Sequence, residues 1–322
     1  MILCCGEALI DFLPRKGADG ADVYQAFNGG SIYNTAIALG RLGASVSYFG
    51  GLSSDFFGDS LIAGLKESQV DIRPAKIQAL DTTLAFVKLT NGQARYIFVD
   101  AASAGRMVSK KDLPKLSKSC LALHFGSISL IPEPCAGAFE ALMKRETKSR
   151  VISLDPNIRP TLIKSKRDHL TRLNRLIAMT DILKISDEDV HWMTGHHDFA
   201  KAAKAWLKKG PKIIAITRGG DGVEIYTASF SFVHKASQVA VADTVGAGDT
   251  FTAGLLATLL KDGNLTKKNI SAISEADYVA RQILQRGLQP SHAQDRVLIR
   301  LGLKRWNEFS CRQNNSRPQG RA

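Results

Sequence analysis

Asp243-Thr244-Val245-Gly246-Ala247-Gly248-Asp249 lies between a β-branched run, Val239 to Val241, and an apolar helical pattern of Phe251, Leu255, Leu256 and Leu259. The stretch therefore reads as a strand-to-helix junction, the unit from which α/β sheets are built. Two glycines around one alanine let backbone N–H groups point into a single concavity at a helix N-terminus. Such a nest binds phosphate through its amides and the helix dipole. Asp249 opens the helix. A carboxylate there is either an N-cap or a catalytic base beside the bound phosphate. In isolation the pattern reads as a cap; seven residues of this composition at such a junction favour chemistry.

The rest of the chain supplies the sheet that such a junction needs. From Leu121 onward strands and helices alternate: Leu121–Phe125, a helix over Pro134–Lys144, Val151–Leu154, a helix near Arg167–Ala178, Ile182–Ile185, Asp187–Met193, Phe199–Lys208 and Ile213–Thr217. This order predicts a parallel sheet covered by helices on both faces. The opening differs. Ile2–Ala8, Ile10–Pro14 and Tyr24–Phe27 read as strands, followed by helices over Asn34–Leu42 and Asp59–Ser68 with a strand at Ser45–Gly50 between them. Thr83–Leu89 and Ala94–Val99 flank Asn91-Gly92, a hairpin signal. The hairpin does not fit the alternation and is assigned, with residues of about 11–28, to a small β lid formed also by about 81–104.

The chain has 322 residues, 44% of them hydrophobic, 27 of them glycine, and a net charge of +13. That length suits one large α/β domain with a small appendage. The charge is uneven: residues 281–322 hold nine Lys and Arg against Asp295 and Glu308, more than half of the net excess. The body is mildly basic. No stripe of aromatics interleaved with basic residues supports a nucleic-acid partner. No apolar run is long enough to cross a bilayer, so no membrane partner is expected. Five cysteines, odd in number and without metal-ligand spacing, predict a reduced, cytoplasmic protein, with Cys4-Cys5 in a buried strand.

Groups suited to hydrogen-bonding a hydroxyl-rich ligand lie near the N-terminus. Asp11 supplies an acceptor just after a strand, Gly29-Gly30 lets backbone pass under a ring, and Asn34 offers a donor and an acceptor together. A turn Asp, a tight Gly-Gly turn and a helix-surface Asn are the plain alternatives.

The seven-residue junction resembles the C-terminal signature of the PfkB (ribokinase-like) sugar kinases. The resemblance runs from residue 2 to about residue 280 and is nearest to the fructokinase branch. His124-Phe125-Gly126-Ser127-Ile128-Ser129-Leu130, Ser153-Leu154-Asp155-Pro156-Asn157-Ile158-Arg159, Ile182 to Asp189 and Thr217-Arg218-Gly219-Gly220-Asp221-Gly222 follow in family order. The resemblance implies a three-layer αβα ribokinase-like fold with a mostly parallel central sheet and a small β-sheet lid, and a domain over residues 1–290. It implies ATP and Mg²⁺ as cofactors, with K⁺ a further cation beside Asp243, whose alternative role is to fix the turn. Asp249 would be the base, with the amides of Gly246, Ala247 and Gly248 holding the transferred phosphoryl group. Asp11, Gly29, Gly30, Asn34 and Arg159 would take the sugar, Arg159 being otherwise a surface cation. Ser186, Asp189, Thr217, Gly219 and Gly222 would take ATP. Lids in this family sometimes pair between subunits, so a homodimer through the lid is one expectation.

Three departures qualify the reading. The family's Asn-x-x-Glu element, associated with Mg²⁺ and phosphate, falls on Ser186 and Asp189, a shorter acid that leaves room for water. Asp100 stands where relatives carry Arg, which argues against an acidic substrate such as 2-keto-3-deoxygluconate and for a neutral ketose. After Ala280 the family's closing loop is replaced by a basic tail that reads as disordered over 291–322. A shift of reading frame near residue 281 would produce this, as would a lineage-specific tail. Fructose phosphorylation is the leading expectation. A kinase for another ketose or for 2-keto-3-deoxygluconate, and a sugar-binding relative impaired by the altered C-terminus, are the alternatives.

Overall fold

A computed structural model describes residues 1–90, 93–236 and 246–275. In chain order the elements are β1 (Ile2–Cys5), β2 (Leu9–Lys16), β3 (Asp22–Gly29), α1 (Ser31–Arg41), β4 (Val46–Phe49), β5 (Gly51–Ser53) and α2 (Phe56–Glu67). There follow β6 (Lys76–Gln78), β7 (Thr83–Thr90), β8 (Gln93–Val99), β9 (Ala122–Gly126), α3 (Cys135–Glu146), β10 (Val151–Asp155) and α4 (Lys166–Ala178). The remainder is β11 (Ile182–Ser186), α5 (Asp187–Thr194), α6 (Phe199–Leu207), β12 (Ile213–Thr217), β13 (Val223–Tyr226), β14 (Ser231–His234), α7 (Ala247–Lys261) and α8 (Lys267–Glu275).

Eight strands form the central sheet in the order β14-β13-β12-β11-β10-β9-β1-β4. The six from β12 to β4 are parallel, while β13 and β14 add an antiparallel edge. Strand alternation sends successive residues to opposite faces, so each strand feeds two cores. Ile2, Cys4, Ala122, Val151, Ile182 and Ile213 pack under α1, α2, α7 and α8. Leu3, Cys5, Leu123, Phe125, Leu154 and Ile214 pack under α3, α4, α5 and α6. These are the three layers expected.

Strand order reverses at β1, which has β4 on one side and β9 on the other. In open α/β sheets the crevice at such a reversal, outside the carboxyl ends of the strands, is where ligands bind. The ends of β1, β9, β10, β11 and β12 converge there.

A second sheet, β3-β2-β7-β8, stands apart from the first. The β7 and β8 strands pair antiparallel, as the hairpin reading requires, although Asn91-Gly92 lie outside the described residues. The parallel pairing of β2 with β7 was not foreseeable from local pattern, because the partners are distant in sequence.

The structure corrects several local expectations. The α1 helix begins at Ser31, not Asn34, because Glu7 reaches back to its first turn: Tyr33 N donates to the Glu7 carbonyl at 3.2 Å and Ile32 N to Glu7 Oε1 at 3.4 Å. Gly30 allows that entry at φ 103°. The α2 helix likewise starts early, at Phe56, where the Asp55 side chain accepts from Gly58 N. The short β5–β6 pair and the antiparallel β13–β14 edge were not anticipated. Residues 291–322 and the run from Val239 to Val241 lie outside the described residues.

Candidate active site

The helix that the opening motif predicts is α7, and its first turn faces α1. Gly246 is its cap in a left-handed conformation, φ 77°, which favours glycine at that position. The first amides of a helix have no intrahelical acceptor. Those of Ala247 and Gly248 stand in that first turn, the position at which helices receive anions.

Asp249 is buried on that first turn, and two side chains of α1 hold its carboxylate. Ser31 Oγ donates to Oδ1 at 2.6 Å and Asn34 Nδ2 donates to Oδ2 at 2.9 Å. Ser31 and Asn34 are three residues apart, hence neighbours on one helix face. Burial raises the Asp249 pKa, partly offset by these two hydrogen bonds. The result is an oriented carboxylate with a raised proton affinity beside the first amides of α7. That combination suits proton abstraction next to a phosphoryl group.

Asp11 and Gly29 meet on adjacent strands. A Cβ on Gly29 would lie 2.1 Å from Asp11 Oδ2, so the glycine is the space into which that carboxylate folds. Burial pushes Asp11 up to about 6, with Arg159 pulling it down and Asp249 pushing it further up. Arg159, after β10, donates through Nη1 to Asn157 Oδ1 at 2.6 Å, and its guanidinium lies 5.8 Å from the Tyr96 ring centroid. Its charge acts on both Asp11 and Asp189. The structure thus brings Asp11, Gly29, Gly30, Asn34, Arg159 and Asp249 into one crevice.

Ser186 ends β11 and caps α5, accepting from Asp189 N at 3.1 Å. Both Asp189 carboxylate oxygens accept from Ile158 N at 3.2 Å, which ties α5 to the segment carrying Arg159. Burial pushes Asp189 up to about 7, with Asp155 adding to the rise. Thr217 sits beside Ser186 in register on β12, and the turn after it has Gly219 at φ 51° and Gly222 at φ 96°. A Cβ on Gly222 would lie 2.1 Å from the His234 carbonyl oxygen, so the hairpin closure requires glycine. Asp243, the predicted cation position, lies outside the described residues. Asp100 accepts from the Thr83 and Ser103 hydroxyls and so is tied into the small sheet.

Several charged groups at this edge were not singled out from the sequence. Lys184 Nζ donates to Asp155 Oδ2 at 2.9 Å, both side chains being buried. Glu7 is buried and pushed up to about 7 by desolvation. Ser31 could have been found from its spacing to Asn34, and Lys184 from its place inside an apolar strand. Glu7 carried no comparable signal.

Among the described residues, no three His, Cys, Asp or Glu side chains gather to ligate a metal. No helix among them is long and apolar enough to cross a membrane.

Residues 1–287 match the profile described as pfkB family carbohydrate kinase. A fructokinase of Rhizobium leguminosarum bv. trifolii is 48% identical over 312 residues, covering 97% of this chain and 94% of its own. A probable chloroplastic fructokinase-6 of Arabidopsis thaliana is 34% identical, covering 82% of this chain and 71% of its own. Among solved structures, fructokinase with bound ATP from Xylella fastidiosa superposes with a TM-score of 0.81 at 24% identity, over 96% of this chain and 98% of that one. Fructokinase from Vibrio cholerae O395, in its fructose-, ADP- and calcium-bound form, gives 0.75 at 22% identity, over 94% and 97%. At such identities these superpositions bear on the fold alone.

Proposed function

The chain belongs to the pfkB family of carbohydrate kinases, and we propose that within it this protein transfers the γ-phosphoryl group of ATP to D-fructose, giving D-fructose 6-phosphate. The observation that carries the chemistry is Asp249, buried beside the first amides of α7 and oriented by Ser31 and Asn34. The high identity to a fructokinase over nearly the whole chain supports the substrate.

In this reading Asp249 accepts the proton of the attacking sugar hydroxyl as the new O–P bond forms. The amides of Gly246, Ala247 and Gly248 hold the charge that develops on the transferred group, so that positioning and electrostatics do most of the work. Asp11 and Asn34 take paired hydrogen bonds from sugar hydroxyls over Gly29-Gly30, and Arg159 spans the sugar and nucleotide sides. Thr217, Gly219 and Gly222 form the nucleoside end, with Ser186 between it and the sheet. Mg²⁺ would be carried mainly by the nucleotide phosphates and water, since it keeps much of its hydration shell, with Asp189 reaching it through water. That ion would offset phosphate charge. A K⁺ beside Asp243 completes the proposed set. Buried thiols at Cys4, Cys5, Cys120 and Cys135 support a reducing compartment, the cytoplasm. Exposed Ile97 and Val99 on β8, with Val23 and Tyr24 on β3, support a homodimer through the small sheet.

ADP release with Mg-ATP across fructose, glucose, mannose, ribose and 2-keto-3-deoxygluconate tests the substrate. Turnover with fructose is expected; turnover with another sugar alone, or with none, overturns the assignment.

Two consequences concern the sugar side. Gly29→Ala must displace the Asp11 carboxylate, and losing a charged hydrogen-bonding partner costs about 1.5–3 kcal/mol. KM for fructose should rise by about tenfold or more in steady-state kinetics, with kcat much less affected. The second is a pH effect. Asp11 accepts hydroxyl protons as a carboxylate, and its pKa stands at about 6. As pH falls through that value the acceptor is lost, so KM for fructose should climb below pH 6, and Asp11→Asn should flatten that rise.

A further inference from the structure

Five carboxylates crowd the crevice at the carboxyl edge of the sheet: Glu7 after β1, Asp11 on β2, Asp155 on β10, Asp189 on α5 and Asp249 on α7. Asp249 acts electrostatically on Glu7 and Asp11, Asp155 acts on Asp249, and Asp155, Asp249 and Asp189 all act on Lys184. Among the described residues Lys184 is the one lysine or arginine that is buried, at 5% exposure. Arg159, at the rim, faces Asp11 and Asp189.

The position of the Lys184 ammonium is unusual. It lies against the underside of the first turn of α7: a Cβ on Gly248 would be 2.8 Å from Nζ and 3.6 Å from Cε. The N-terminus of a helix carries partial positive charge, which repels a cation placed there. A buried ammonium persists at such a point only if anions surround it closely enough to outweigh both that repulsion and the loss of water. Asp155 is one such anion, at 2.9 Å. The other carboxylate on this turn is Asp249, the residue after Gly248. Gly248 lacks the side chain that would separate the two.

We infer that Lys184 is a positioning residue for the base: its ammonium, fixed by Asp155 beneath the first turn of α7, is the countercharge that keeps Asp249 a carboxylate in a site otherwise crowded with acids. Asp155 has a double effect. Its Oδ2 accepts from the ammonium and holds it in place, a bond that the amide oxygen of Asn can keep, and its negative charge opposes ionisation of Asp249. Removing one member of the pair should therefore move Asp249 in the opposite direction from removing the other. A pair that served only to knit β10 to β11 would show no such opposition.

The inference rests on the kinase reading, in which Asp249 is the base, but its test needs no turnover. Titration of the full chain carrying ¹³Cγ-labelled aspartate, followed by NMR, reports each carboxyl directly. Loss of one resonance in Asp249→Asn assigns it. In Lys184→Met the Asp249 carboxyl should bind its proton about tenfold more tightly or better. In Asp155→Asn it should bind more weakly than in the unmodified chain. An Asp249 midpoint unmoved in Lys184→Met, or moved the same way in both single variants, overturns the inference. If Lys184→Met does not fold, Asp155→Asn is compared with Asp155→Asn/Lys184→Met. A midpoint higher in the double variant supports Lys184 as the countercharge, and equal midpoints overturn it. Failure of fructose-dependent ADP release in the unmodified chain would strike the kinase reading alone.

Discussion

Asp249→Asn should lower kcat for fructose phosphorylation by about a thousandfold, within the range over which a positioned base contributes. The replacement keeps the shape of the side chain and leaves Ser31 and Asn34 partners within reach, so fructose should still bind, as calorimetry can show. Stability should move the other way. Burial raises the Asp249 pKa in the folded chain. A raised folded pKa gives stability at low pH that is lost as pH climbs through it, because the folded state must then carry a buried charge. Asparagine avoids that cost. The melting temperature of the variant should match or exceed that of the unmodified chain, with a larger difference at pH 8 than at pH 5. Near-normal turnover would remove Asp249 from its role. Lost turnover together with lost fructose binding would mean that the substitution had disturbed the pocket rather than the proton transfer.

The same tension explains why the fold was more legible in the sequence than the site. Alternating apolar runs and amphipathic helices announce a layered α/β sheet, because burial on both faces demands that pattern at every strand. Boundaries shifted where a distant group intervened, as when Glu7 starts α1 at Ser31. The β13–β14 edge consists of two strands of only four residues, of which only Val223 and Ile225 are buried, and so it escaped notice. At the site, Asp249 was visible because it follows Gly248 at the start of a helix, and Asn34 because it falls on the first turn of one; Asp11 was expected just after a strand but lies within β2, where its pairing with β3 places it. Lys184 was hidden by its surroundings. In Ile182-Leu183-Lys184-Ile185 it looks like one polar residue in a strand, and only the register that sets Asp155 within reach reveals a partner. Ion pairs across parallel strands join residues some thirty positions apart, and no local pattern announces them.

That pair also sets the largest stability effect expected in this protein. Lys184→Met should lower unfolding free energy by about 3–5 kcal/mol, since it strands Asp155 in the sheet with no countercharge. Asp155 Oδ1 is already buried without a partner, so the carboxylate has little other support. Lys184→Met/Asp155→Asn removes both charges. It should recover most of the loss in urea or thermal unfolding, because an apolar side chain can replace a buried ion pair at little net cost. A double variant as stable as the unmodified chain yet slow in turnover would mean that the charges are kept for chemistry and not for the fold. Such an outcome follows from the placement of the ammonium. The sheet could be knitted more cheaply by aliphatic side chains, as it is on both sides of this position by Leu183 and Ile185. Under the proposed function a lysine there makes physical sense, because its ammonium lies against the first turn of α7, which carries the proposed base Asp249. A double variant as unstable as Lys184→Met would instead assign the pair to structure.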